Sequence, residues 1–168
     1  MKPNNQIAVW NAIVALVALA VSAQANPGVY YIDPGYPTST DDSRCYNEDW
    51  EPIARQPDGS LLFGGSRCQA TFNFPVVPAN SINYVALKYK TTYTNGEVCG
   101  HFNFYGGFTG AAPENCYYDN QMLYVLFSPT ARGGGSTTLE WYTKPCCNPP
   151  NDFLKNAYLY EIRVVATQ

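Results

Sequence analysis

Arg67-Cys-Gln-Ala-Thr-Phe-Asn-Phe74 decides the reading of this chain. Its side chains alternate without a break, sending Cys68, Ala70, Phe72 and Phe74 to one face and Arg67, Gln69, Thr71 and Asn73 to the other, which is the pattern of a half-buried strand. Pro75 and Pro78 then end it, because proline has no N–H to give to a ladder. Downstream, INYVALKYKTTY at 82–93 repeats the period, with Val85, Leu87 and Tyr89 inward and Lys88 and Lys90 outward, and Asn95-Gly96 supplies a turn. Further strands are expected at 98–105, 122–128, 137–142 and 157–167, with shorter ones at 29–32 and 61–63. The continuous apolar run at 122–128 predicts a strand covered on both faces, and the Tyr, Ile and Val of 157–167 predict a central one. Glycine-rich 106–120 and 129–136, which includes Gly133-Gly134-Gly135, are expected as loops. Helical spacing is hard to find in any ten-residue window, so these strands predict an all-β, two-sheet β-sandwich of about eight strands. The long polar loop at 33–49 is expected to be pinned by Cys45.

The first residues read as a targeting segment. Lys2 gives a positive start, AIVALVALA at 12–20 an apolar stretch, and Ala23-Gln24-Ala25 a small-x-small cleavage site. A cleaved signal peptide over 1–25 and a single domain over 26–168 are the expectation. The competing reading is a retained anchor, but Asn11 shortens the run below the about 20 apolar residues that a spanning helix needs, so no membrane contact is expected after cleavage. The net charge of −3 becomes more negative once Lys2 is lost, and no basic block remains to hold a phosphate backbone, so nucleic acid is not an expected partner.

Six cysteines, Cys45, Cys68, Cys99, Cys116, Cys146 and Cys147, lie beyond the signal. An even number in an exported chain predicts three disulfides in an oxidising, extracellular setting. Cys99 with Cys116 is the best single pairing. Adjacent Cys146 and Cys147 would close a strained ring, so each is expected to reach a different distant partner. Zinc is the rival use of clustered thiols, but the chain has one histidine and no Cys-x-x-Cys.

Ala70-Thr-Phe-Asn-Phe-Pro-Val-Val-Pro78 followed by Asn83-Tyr-Val-Ala-Leu-Lys-Tyr89, the approach Leu61-Leu-Phe-Gly-Gly65, and the ending Tyr158-Leu-Tyr-Glu-Ile-Arg-Val164 are similar to pieces of the galactose-binding-like jelly roll shared by many carbohydrate-binding modules. These pieces cover about a third of the expected mature chain. The resemblance implies a jelly-roll fold and a glycan partner. It departs from the family at Tyr160, where such modules often carry Asp, and in lacking the Glu-x-Glu of calcium-using members, so no ligand residue is carried over from it.

Sugar faces stack on rigid aromatics while polar side chains take the hydroxyls. The chain has 14 Tyr, 8 Phe and 3 Trp. Trp141 and Tyr142 with Asn151 and Asp152, and Trp50 among acidic neighbours, have that composition; the competing reading is sandwich core, which is the favoured one for Trp141 and evenly balanced for Trp50. Asp41, Asp42, Glu48 and Asp49 gather carboxylates that either are solvated or hold calcium, a hard cation that takes about six to eight oxygens. His101, the single histidine, falls on the face opposite Phe102 and Phe104, and no nucleophile elbow or zincin signature accompanies it. No catalytic residue is assigned. The expected function is a secreted, non-catalytic, lectin-like protein that binds a glycan or extracellular polysaccharide, with calcium as the one cofactor that could serve it. The alternative is a structural subunit of a matrix, adhesive or fibre, a homo-oligomer or polymer joined through aromatic faces or edge strands.

Overall fold

A computed structural model describes residues 28–45, 52–77, 82–92, 98–117, 121–144 and 156–167. They form eleven strands and no helix: β1 (Gly28–Ile32), β2 (Ser39–Asp41), β3 (Ala54–Arg55), β4 (Leu61–Phe63), β5 (Gln69–Phe74), β6 (Ile82–Thr92), β7 (Val98–Ala111), β8 (Asn115–Tyr117), β9 (Met122–Phe127), β10 (Ala131–Lys144) and β11 (Asn156–Thr167). Sheet A runs β3-β4-β11-β6-β9, with β1 also on β11; sheet B runs β2-β5-β10-β7-β8. All described pairings are antiparallel.

Alternation fixes which faces meet. Phe72 and Phe74 from β5, Phe102, Phe104 and Phe108 from β7, and Leu139 and Trp141 from β10 are the inner face of sheet B; Phe63, Val85, Leu87, Tyr89, Leu159, Ile162 and Val164 are that of sheet A. The layers interlock through edge-on rings, Phe63 on Phe102 at 5.2 Å, Tyr89 on Phe102 at 5.2 Å and Tyr89 on Trp141 at 5.7 Å between centroids. The two-sheet sandwich and the central place of the closing strand are as expected, and the strand count exceeds the expected eight because β2, β3 and β8 are only two or three residues long.

Two expectations fail. The glycine-rich stretches at 106–120 and 129–136 are largely extended chain: β7 runs on to Ala111 and β10 starts at Ala131. Their pairing survives glycine because the two strands hold each other, Ala131 opposite Thr109 and Arg132 opposite Phe108, with a register shift before Thr137. The buried Thr137 hydroxyl accepts the Phe108 N–H at 3.1 Å there. Second, β9 is not covered on both faces: it is the edge of sheet A, and Met122, Tyr124 and Leu126 are exposed.

Cys99 bonds Cys116 as expected, across the β7–β8 pair, and Cys45 bonds Cys68, which ties down the chain that follows β2. Cys146 and Cys147, each expected to reach a different distant partner, lie outside the described residues.

Candidate functional site

The outer face of sheet B is where polar and aromatic side chains converge. Alternation puts Gln69 and Thr71 of β5, Thr138, Glu140 and Tyr142 of β10, and His101, Asn103 and Tyr105 of β7 on that one surface, in register: Glu140 lies opposite Gln69 on one side and Asn103 on the other, and Tyr142 opposite His101.

Glu140 is its centre. Its carboxylate sits on a sheet face yet the residue is only 4% exposed, because neighbours close over it. Gln69 Nε2 donates to Oε2 at 2.7 Å; the Tyr105 hydroxyl and Asn103 Nδ2 donate to Oε1 at 3.1 and 3.3 Å; Arg67 Nη1 lies 3.5 Å from Oε1. Burying a charge is costly unless donors replace the lost water, and here four side chains do so. Burial, reinforced by the adjacent Glu140 carboxylate, pushes the Tyr105 phenol above its ordinary range and keeps it a protonated donor at neutral pH. Glu140→Ala would leave these donors facing a void and is expected to cost about 1–3 kcal/mol in urea unfolding, with Glu140→Gln costing less.

Arg67 is positioned by a local backbone device. Arg67 N–H donates to the Trp141 carbonyl at 2.7 Å and Trp141 N–H to the Cys68 carbonyl at 3.1 Å, so two residues of one strand face one of the other, a bulge. Arg67 is the one non-glycine among the described residues with positive φ, 72°. Such a conformation disfavours a side chain carrying Cβ and is kept where the surrounding structure holds it. The result places the guanidinium 4.5 Å over the Tyr142 ring, while His101 approaches the same ring at 5.2 Å and its Nε2–H donates to Asn103 Oδ1 at 3.1 Å.

Beside this group opens a hollow of about 520 Å³ lined by Ser43, Arg44, Cys45, Arg67 and Glu140. Its wall is the end of the 33–49 loop, held by the Cys45–Cys68 bond. The volume is within the span of ordinary small-ligand sites, and its lining joins the Glu140 carboxylate to two arginines, one of which, Arg67, lies over the Tyr142 ring.

Of the residues singled out from sequence, Tyr142 belongs to this group and Trp141 does not. Trp141 is wholly buried on the opposite face of β10, one position away, so it is core rather than a sugar platform. Asp41 and Asp42 lie at the hollow's loop, but their carboxylates are spent on that loop: Asp41 accepts from Ser43 Oγ and N–H, which hold its pKa low, and Asp42 accepts from Ile53 N–H at 2.9 Å. Among the described residues no group of three or more His, Cys, Asp or Glu could hold a metal ion. Trp50, Glu48, Asp49, Asn151 and Asp152 lie outside the described residues. Glu140, Arg67, Gln69, Asn103 and Tyr105 are not singled out as ligand residues by the sequence, although alternation puts Arg67 and Gln69 on an outward face; only the pairing of β5 and β7 to either side of β10 brings them around Glu140.

No protein family and no curated protein matches the sequence. Among solved structures the chain is similar to a family two carbohydrate esterase from Cellvibrio japonicus, at 12% identity over 85% of this chain and 35% of that one with a TM-score of 0.46. It is similar to the C-terminal family 6 carbohydrate-binding module of a marine laminarinase from Zobellia galactanivorans, at 14% identity over 82% and 99% with a TM-score of 0.48. A family 6 module from Clostridium stercorarium in complex with cellobiose matches at 8% identity over 83% and 93%, again with a TM-score of 0.48. The chain thus spans about a third of the esterase and nearly all of each module.

Proposed function

We propose that this protein is an exported, non-catalytic carbohydrate-binding protein whose ligand lies in the hollow beside Arg67, Glu140 and Tyr142. The observation that carries the reading is the buried, fully paired Glu140 carboxylate with the strained Arg67 beside it on an open face. A sugar presents vicinal hydroxyls, and the half-exposed Arg67 guanidinium, held by the Glu140 carboxylate and over the Tyr142 ring, offers them donors without moving first. The Tyr142 and Tyr105 rings supply the apolar edge that a sugar's C–H groups need. Glycoside hydrolysis needs two carboxylates flanking the bond, whereas Glu140 is the one carboxylate lining the hollow among the described residues. Export accords with disulfides, which persist in oxidising compartments.

The test is affinity electrophoresis and a glycan array, each run with added calcium and with a chelator, so that a contribution from Asp41 and Asp42 is read directly. Binding to at least one polysaccharide is expected, with no release of reducing sugar. Arg67→Gly relieves the positive φ while deleting the guanidinium, so it is expected to lower affinity at least tenfold, about 1.4 kcal/mol, with the unfolding midpoint unchanged or raised. Absence of binding to every sugar in both conditions, or affinity untouched by Arg67→Gly, overturns the reading.

A further inference from the structure

Sheet A turns a different surface to solvent. Of the eight large hydrophobic side chains exposed among the described residues, five lie on its outer face: Val29 and Tyr31 on β1, and Met122, Tyr124 and Leu126 on β9. Register places two of them, Tyr124 and Leu126, at a depression. Leu126 and Arg163 stand on either side of Ala86, and Tyr124 stands opposite Lys88, which in turn stands opposite Glu161. Because Ala86 is small, the centre of the face is a hollow of about 130 Å³ with Tyr124, Leu126, Glu161 and Arg163 among its walls. Tyr124, 74% exposed, is the tallest feature beside it.

A projecting ring next to a matching depression on one face is the condition for self-complementary contact: under a two-fold axis, what one copy projects the other receives. The charges repeat the pattern. Glu161 is ion-paired to Arg163, and Lys88, across the strand from Glu161, has the Tyr124 ring 5.6 Å away. When Tyr124 moves into an opposing depression, Lys88 of one copy is turned toward Glu161 of the other.

We infer that a second copy of this chain docks face to face on sheet A, Tyr124 of each entering the Ala86 depression of the other, to form a closed dimer. Four strands at ~4.8 Å spacing and about seven residues at ~3.4 Å rise give a face of about 19 by 24 Å, at the small end of specific interfaces, so the association is weak and reversible. The carbohydrate hollow, on the other sheet, stays open in each copy.

Sedimentation of the purified protein, expressed as the full chain, from about 1 μM to about 1 mM tests this over the range of weak interfaces. The mass is expected to double with concentration and not to grow further. Ala86→Arg fills the depression from the solvent side and is expected to weaken association at least tenfold at an unchanged unfolding midpoint. Glu161→Lys and Lys88→Glu are each expected to stay monomeric alone and to dimerise when mixed, a readout that misfolding cannot imitate. Arg67→Gly, on the opposite face, leaves the dimer intact, so loss of sugar binding and loss of pairing are read separately. A monomer at every concentration, open-ended polymers, a dimer that survives Ala86→Arg, or a mixture of the charge variants that fails to pair overturns the proposal.

Discussion

Trp141→Ala is expected to lower the stability of this protein by about 3–5 kcal/mol and its unfolding midpoint by roughly 10 °C. The indole is wholly buried, with its ring centroid 5.0 Å from Phe102 and 5.7 Å from Tyr89, and so joins both sheets. The chain has made room for it: a Cβ on Gly100 would lie 2.7 Å from the indole. Deleting the ring removes its transfer free energy and leaves a cavity that a backbone clamped by two ladders cannot collapse to fill. Differential scanning calorimetry measures the change. Tyr142→Ala is the control one residue on: it is expected to reduce sugar affinity while shifting the midpoint far less. An unchanged midpoint for Trp141→Ala would contradict the assignment of the indole to the interior.

Gly107→Ala is expected to cost about 3 kcal/mol, the upper end for overpacking. A Cβ there would meet the Gly134 carbonyl oxygen at 1.8 Å, and the atom in the way is backbone, which no rotamer change can move aside. Gly134 has no freedom to yield either: its φ is +73° and its own Cβ position is 2.6 Å from the Pro75 carbonyl oxygen. Three chain segments therefore touch at a point where only hydrogen side chains fit. Urea unfolding of Gly107→Ala and Gly134→Ala checks this, and wild-type stability in both would show that the segments are not in contact.

The same glycines explain where sequence reading stopped. Alternation is visible only where side chains mark the two faces, as in β5 and β6, and those strands, their inward residues and their outward ones stand where the period placed them; β11 is where a strand was expected, but a bulge between Leu159 and Glu161 shifts its buried set from 157 and 159 to 162, 164 and 166. Gly106, Gly107, Gly133, Gly134 and Gly135 mark neither face; they lie at the irregularity of the β7–β10 ladder, where Gly106, Gly134 and Gly135 take positive φ, and the flanking pairs between strands distant in sequence carry the two strands through it. β9 misled for the opposite reason. Its unbroken run of apolar residues signals burial on two sides, but three of them point outward from an edge. The candidate site was half legible. Tyr142 was found as an aromatic beside polar loops, and Arg67 and Gln69 were known to face out, but Glu140 looked like any charged residue on a strand. Its importance comes from Gln69, 71 positions away, and Asn103, 37 away, closing over it.

Both described sulfur bridges belong to sheet B. Cys99–Cys116 crosses from β7 to the outermost strand β8, and Cys45–Cys68 joins the chain just past the opposite outermost strand, β2, to the start of β5. Force directed along that layer would pull first on its rims, where a ribbon held by three residues would otherwise unzip one rung at a time. Covalent ties at both rims hand such a tug to the strands inside them, so sheet B would part as a layer rather than fray from its edges.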